Sequence, residues 1–182
     1  MIDRPTALAL MESRIKNKNL RKHILAVEAI MIKLAGHFGE DANIWGLTGL
    51  LHDLDYAVTL KKPEKHTFTT AQWLAEFKLP DEMIYAIRCH PGHTPCLSKM
   101  DWALFCSDPT SGFIAACALM HPSRKLINVD AEFMMRRFKE KRFAAGASRE
   151  GIASCSQLGL ELEDYLMLGR EAMLTILDKL EL

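Results

Sequence analysis

Apolar residues recur at helical spacing along almost the whole chain. The clearest case is the segment 19–38, where apolar residues follow one another at steps of three and four positions: Leu20, Ile24, Val27 and Met31. This spacing places them on one face of a helix. No segment shows the alternation of apolar and polar residues that is typical of a half-buried strand. The pattern therefore predicts an all-α chain that folds as a helical bundle.

Capping residues, prolines and glycines predict where the helices begin and end. The predicted helix starts are Pro5, Leu20, Asp41, Thr67, Asp81, Lys99, Asp130, Ser148 and Leu162. The helix from Lys99 is expected to end at Asp108, because Pro109 follows directly. The last helix is expected to continue unbroken to Leu180, because its apolar residues form a single stripe.

The length of 182 residues suits one compact domain with a full apolar core. Within it we expect an N-terminal helix over residues 1–18 and a core over residues 19–120. The helices of residues 121–182 are expected to complete the same domain.

The charges are balanced, with 23 Lys and Arg residues against 23 Asp and Glu residues. This balance gives no overall field that would attract nucleic acid or an acidic membrane, and it argues against both partners. The N-terminus lacks the basic start and apolar run of a signal peptide. No stretch approaches the ~18 consecutive apolar residues that a membrane span requires. We therefore expect a cytoplasmic protein, of undetermined oligomeric state.

The cysteines are five in number and include no Cys-x-x-Cys pair. An odd count without that spacing argues against a zinc ribbon or a disulfide framework. We expect buried free thiols at all five positions: Cys89, Cys96, Cys106, Cys117 and Cys155.

The adjacent pair His52-Asp53 follows an apolar helical run and is the first candidate for chemistry. A buried carboxylate needs a cation or hydrogen-bond donors beside it, and a metal ion satisfies this need. The dipeptide alone is equally compatible with a surface position at the end of a helix.

Further histidines and an aspartate lie on or near the ends of other predicted helices: His23, His66, His90 and Asp108. Helices that converge in a bundle can bring such residues together, and mixed imidazole and carboxylate ligands suit Fe, Mn, Zn or Ni. For His23, which lies inside an apolar helix, a hydrogen-bonded core histidine is the alternative.

With these residues in this order, the chain resembles the HD-domain superfamily of metal-dependent phosphohydrolases, and in particular its small bacterial members. The metal motif spans about residues 19–118, and the segment KRFAAGASREGI is also similar to those members. The resemblance implies an all-α bundle of the HD type.

The resemblance also implies a ligand set. The family's first histidine corresponds to His23, its signature pair to His52-Asp53 and its final aspartate to Asp108. Members with two metals add two histidines, which correspond to His66 and His90. Asp53 would then bridge two divalent ions of Fe, Mn, Zn, Ni or Mg, and it would also be the catalytic residue.

The chain departs from the family pattern directly after the pair. Many relatives read His-Asp-Ile-Gly, whereas this chain reads His-Asp-Leu-Asp-Tyr. This difference weakens any transfer of function from the signalling-nucleotide branch. We interpret Asp55 and Tyr56 as residues that cap a helix, with a role in shaping the pocket as the alternative.

Candidate substrate contacts are basic residues and a histidine close in sequence to the ligands. They are Lys62, His93, Lys141, Arg142 and Arg149. Each has an ordinary alternative, because His93 fits a solvated loop and the basic run fits a solvated helix face.

Three functions follow, in order of preference. The first is a metal-dependent phosphohydrolase that acts on a small phosphate ester, such as a nucleotide, through a metal-activated water. The second is a di-iron oxygenase of the same superfamily. The third is a non-enzymatic regulator that senses a metal or a ligand.

Overall fold

The computed structural model describes residues 2–182, and within them it contains α-helices and short 3₁₀ turns but no strand. The helices are α1 (Arg4–Arg14), α2 (Lys18–Phe38), α3 (Ala42–Leu51), α4 (Tyr56–Thr59), α5 (Phe68–Leu74), α6 (Asp81–Cys89), α7 (Lys99–Met120), α8 (Ala131–Lys139), α9 (Arg149–Ala153), α10 (Leu162–Leu174) and α11 (Leu177–Leu180). The predicted all-α fold is confirmed. The predicted domain boundaries stay a prediction, and Met1 lies outside the described residues.

Several predicted helix ends are confirmed by hydrogen bonds. The side chain of Asp41 accepts hydrogen bonds from the backbone N–H groups of Asn43 and Ile44 at the start of α3. Asp130 and Ser148 cap α8 and α9 in the same way. Asp81 is different, because it is the first residue of α6 and Pro80 occupies the cap position without a side-chain hydrogen bond.

Helices α2 and α3 approach each other so closely that one position requires glycine. A methyl group at Gly49 would lie 3.0 Å from the Cα atom of Glu28. Because backbone faces backbone at this point, the end of α3 is held beside the first half of α2. As a result, the rings of His23 and His52 lie 5.4 Å apart.

Helix α1 is fixed to α2 by an ion pair. The Arg4 guanidinium donates to both carboxylate oxygens of Glu28, at 2.6 and 2.9 Å. Glu28 is only 4% exposed, so this two-point contact satisfies a charge that the core would otherwise exclude.

Helix α7 corrects one prediction, because it continues through Pro109 to Met120. A proline inside a helix removes one N–H donor, which here belongs to the bond to the Phe105 carbonyl. The hydroxyl groups of Thr110 and Ser111 donate to backbone carbonyls of the same region, at 2.7 and 2.9 Å. Asp108 therefore lies in the middle of a helix and not at its end.

Helix α7 also bears on the membrane prediction. Its most apolar window has a mean hydropathy of 1.3, so by length and composition α7 could cross a membrane. This differs from our expectation that no segment would be apolar enough. However, 56% of that window is buried inside the protein, as in an ordinary core helix, so the finding is weak evidence for a membrane span.

The C-terminal helix is shorter than predicted. Helix α10 ends at Leu174, and α11 begins only at Leu177. The backbone N–H and the hydroxyl group of Thr175 both donate to the Ala172 carbonyl, which closes the last turn of α10 early. The apolar stripe continues across this break, so the spacing alone did not reveal it.

The prediction of five free thiols is wrong for two of them. Cys89 and Cys96 form a disulfide, with their Cα atoms 5.9 Å apart. The loop between them turns back at Gly92, whose φ angle of +86° favours glycine, and this turn returns Cys96 to the end of α6. The other three cysteines are free and buried.

Candidate metal centre

Six side chains from separate segments meet at one end of the bundle. Helix α2 provides His23, the turn after α3 provides His52 and Asp53, the residue after the 3₁₀ turn Pro63–Lys65 is His66, the residue after α6 is His90, and α7 provides Asp108. These are the six side chains that the sequence predicted as metal ligands.

Asp53 lies at the centre of this cluster, and its two carboxylate oxygens face different histidines. Its Oδ2 atom lies 3.7 Å from the Nε2 atoms of both His23 and His52. Its Oδ1 atom lies 3.2 Å from Nε2 of His66 and 3.5 Å from Nε2 of His90. A carboxylate placed in this way can bridge two cations.

Asp108 completes the group on the Oδ2 side. Its Oδ1 atom lies 3.1 Å from Nε2 of His23 and 3.9 Å from Nε2 of His52. Ligands that share one ion at bond lengths of about 2.0–2.2 Å lie roughly 3–3.5 Å apart, which is close to these separations. His23, His52 and Asp108 therefore form a set that can hold a metal ion.

The orientation of two imidazole rings is set by backbone carbonyls. His52 Nδ1–H donates to the Gly49 carbonyl at 2.7 Å, and His90 Nδ1–H donates to the Ile87 carbonyl, also at 2.7 Å. In both cases the acceptor lies three residues earlier in the chain. The Nε2 lone pair of each ring is thereby directed into the cluster.

The other two rings are held by side chains. The Ser111 hydroxyl donates to the Asp108 carbonyl, so it accepts a hydrogen bond from His23 Nδ1–H at 2.7 Å. His66 Nδ1–H donates to the Asp55 carboxylate, at 2.7 Å. With Nδ1 engaged in all four rings, Nε2 is left to face the cluster, which is the arrangement found in metal-binding histidines.

One buried nitrogen tests whether a metal fits. Nε2 of His52 is fully buried and has no hydrogen-bond partner in the described part of the chain. A buried polar atom without a partner is rare, and a metal ion bound at that atom is one of its ordinary explanations. The donor set of imidazole nitrogen and carboxylate oxygen suits divalent Fe, Mn, Zn or Ni.

Residues 20–106 match the family described as HD domain. The matched span includes five of the six clustered side chains, and Asp108 lies two residues beyond it.

The chain contains an HD domain.

The match agrees with the resemblance to HD domains that the sequence indicated.

Two curated relatives are similar to part of the chain. Ribonuclease Y of Desulfotalea psychrophila is 30% identical over 95 residues, and Ribonuclease Y of Aliarcobacter butzleri is 31% identical over 94 residues. Each match covers 52% of this chain but 18% of the relative. No solved structure matches the chain.

The carboxylates of the HD domain are held in their charged form. Burial opposes the charge on Asp53, but the imidazoles of His52, His66 and His90 outweigh it and hold its pKa well below the usual value. Burial also opposes the charge on Asp108, yet its hydrogen bond with His23 lowers the pKa of this carboxyl group. Both are therefore anionic ligands at neutral pH.

The histidines of the HD domain differ in protonation. Burial lowers the pKa of His52 to about 4, so its ring is neutral at pH 7. Burial also opposes protonation of His66, but hydrogen bonds to Asp53 and Asp55 raise its pKa to about 9. In the metal-free protein, the His66 imidazolium therefore lies between two carboxylates, and it must lose its Nε2 proton before it can bind an ion.

Asp55 has a different environment from the one that we expected. It is fully buried, and its carboxylate accepts from His66 Nδ1–H and from the backbone N–H of Thr70 in the first turn of α5, at 2.7 and 2.9 Å. Asp55 does occupy the N-cap position of α4, as a capping residue would, but its side chain makes no hydrogen bond to that helix and holds His66 instead. The sequence signal that could have predicted this contact with His66 is the second aspartate, two positions after the His-Asp pair.

A cavity of about 830 Å³ opens beside the cluster. Its lining includes His23, Asp53, His66, His90 and Asp108, together with residues from α7 and from the loop between α8 and α9. A substrate in this cavity would lie directly against the ligand side chains.

None of the five predicted substrate contacts is among the residues that line this cavity: Lys62, His93, Lys141, Arg142 and Arg149. The first four are exposed on loops. Arg149 is a correction, because its guanidinium donates to backbone carbonyls that include those of Phe143 and Ala147, at 2.6 and 2.9 Å. Its role in the structure is to hold a loop.

Proposed function

We propose that the protein is a metal-dependent hydrolase of phosphate esters. The observation that carries the proposal is the convergence of four imidazole Nε2 atoms with the carboxylates of Asp53 and Asp108, beside an open cavity. A bound divalent cation would lower the pKa of a water molecule and neutralise charge on the phosphoryl oxygens.

The side chains of the chain itself have separate tasks in this proposal. His23, His52 and Asp108 would hold one ion, and His66 and His90 would hold a second. Asp53 lies between the two groups, where it would contact both ions and orient the attacking water. The low pKa of Asp53 keeps it anionic for this task.

The test begins with metal analysis of the purified protein. Protein loaded with the metal that it retains is then assayed against phosphate monoesters, nucleotides and a short RNA, the last because two relatives are named as ribonucleases. We expect hydrolysis of at least one ester, and loss of that activity in Asp53→Asn. Full activity in Asp53→Asn would contradict the proposal.

A di-iron oxygenase is the second candidate, because both His66 and His90 face the same Asp53 oxygen. Two bound irons and oxygen-dependent turnover would favour it. A single ion that is not iron would exclude it.

A further inference from the structure

Apart from the cluster histidines, none of the described residues that line the cavity beside the cluster has a cationic side chain. Among residues 2–182, neither lysine nor arginine contributes to its lining. The charged groups in the lining are the cluster residues themselves, which the bound ions would occupy. A phosphate group next to the ions would be neutralised, but a second anionic group deeper in the cavity would face no opposite charge. Burying an unpaired anion is costly.

The remaining walls are mostly apolar. Helices α2 and α7 contribute Leu20, Phe105 and Ala116 to the lining. The opposite wall is the loop of residues 144–148, whose sequence is Ala-Ala-Gly-Ala-Ser. Because these side chains are the smallest available, the loop leaves space for a substrate and offers it little charge or polarity.

Arg149 fixes this loop in place. Besides the carbonyls of Phe143 and Ala147, its guanidinium donates to the Phe138 carbonyl at 3.0 Å, and its Cζ atom lies 4.7 Å from the ring centroid of Phe113. Its hydrogen-bond donors are thus directed to the backbone, and they are not available to an anionic substrate. The arginine that directly follows the loop therefore acts as its anchor.

We infer that the 144–148 loop is the surface that selects the substrate, and that the substrate is a phosphate monoester whose organic part is apolar and carries no further charge. This inference rests on the proposed hydrolase function, and it narrows the substrate class. It disfavours nucleoside polyphosphates and RNA, in which several charges lie close together.

A matched pair of esters tests the inference. Phenyl phosphate and 4-carboxyphenyl phosphate differ by one carboxylate on the same ring. We expect kcat/KM to be at least about tenfold higher for phenyl phosphate, as apolar pockets discriminate on this scale. Equal or better turnover of 4-carboxyphenyl phosphate, or preferred turnover of a short RNA, would overturn the inference.

A binding measurement separates this inference from the hydrolase proposal. Phenylphosphonate and 4-carboxyphenylphosphonate are not hydrolysed, and their affinities for the metal-loaded protein are measured by calorimetry. If no ester is hydrolysed but phenylphosphonate binds more tightly than 4-carboxyphenylphosphonate, the hydrolase proposal fails, whereas the inference that the loop selects an uncharged organic group is supported. If the charged phosphonate binds equally or better, the inference fails whatever the turnover.

Two lysine variants test whether the 144–148 loop discriminates between the two esters. Ala145→Lys adds a cation to the cavity wall, whereas Ala153→Lys adds the same charge at an exposed position on α9 that does not line the cavity. We expect Ala145→Lys to shift the preference toward the carboxylated ester by about tenfold, and Ala153→Lys to leave it unchanged. The same ratio in both variants would show that the loop does not select. Ala145→Met, which is long but neutral, should lower turnover of both esters without favouring the charged one.

Discussion

For each imidazole of the centre, the group on the far side of the ring decides which nitrogen faces the cluster. Two rings use a carbonyl of their own helix, one uses Ser111 and one uses Asp55. Asp55 differs from the others because it is charged. It therefore both orients His66 and strengthens the ring as a ligand.

Asp55→Asn should therefore weaken the His66 and His90 half of the centre. We expect affinity for the second ion to fall by about 10–100-fold, with the first ion retained. Metal titration followed by calorimetry measures both sites. Asp41→Asn is the matched control, since asparagine caps a helix as well as aspartate does. Equal loss of both ions, or no loss, would contradict the role of Asp55.

The stability of the metal-free protein should be greatest near pH 6.5. Folded His52 takes up a proton only near pH 4, but unfolded histidine does so near 6.5, so the free energy of unfolding falls as the pH drops through this window. Folded His66 keeps its proton up to about pH 9, so its stabilisation is complete below pH 6.5 and is lost as the pH rises toward 9.

Urea unfolding with a chelator at about pH 5, 6.5 and 8.5 measures this dependence. A shift of the His52 pKa from 6.5 to about 4 corresponds to about 3 kcal/mol over the acidic window. In His52→Asn the free energy of unfolding should depend less on pH below 6.5, and in His66→Asn it should depend less on pH above 6.5. A urea midpoint that does not change with pH would contradict both assignments.

The sequence predicted the six clustered side chains because their types and order resemble the ligand set of the HD-domain superfamily, and because all but His66 lie on or at the end of predicted helices. It did not predict the roles of Asp55 and Arg149. Asp55 contacts a ring 11 residues away, and Arg149 contacts backbone carbonyls, which carry no sequence signal.

At the scale of elements, the centre depends on how closely α2 and α3 pack. Gly49 permits the contact, and the spacing between His23 and His52 follows from it. Apolar periodicity predicted both helices but did not predict their distance, because a glycine in a helical pattern has no unique meaning. The sequence also placed a helix end at Asp108, because Pro109 follows, whereas α7 continues through this proline to Met120.

Gly49→Ala should push α2 and α3 apart. We expect a loss of about 1–3 kcal/mol of stability, together with weaker binding of the ion held by His23 and His52. Gly36→Ala is the control, because nothing lies within 4 Å of a methyl group at that position of α2. It should stabilise the protein by about 0.5–1 kcal/mol through helix propensity. Thermal unfolding and metal titration of both variants measure the difference, and equal behaviour would contradict the close contact.

At the scale of the whole molecule, the six clustered side chains come from segments that span residues 23–108, so the cluster exists only when the bundle has formed. Metal binding should therefore stabilise the entire fold. The ion would bind the folded state and not the unfolded chain, which lacks the preformed site.

Loading with metal at about 100 times its dissociation constant should add about 2.7 kcal/mol to the free energy of unfolding. For a chain of this length, that corresponds to roughly 5–10 °C in melting temperature. Chelation should reverse the gain. Asp53→Asn should lose it, whereas Asp41→Asn should keep it. A melting temperature that metal does not change would contradict the linkage between the centre and the fold.

The division of Asp53 between two groups of histidines also bears on how such a centre can evolve. His66 and His90 contact only one of its oxygens, so a substitution of either ring would leave the contacts of the other oxygen with His23 and His52 in place. A single codon change could therefore alter one half of the cluster while the other half kept its geometry.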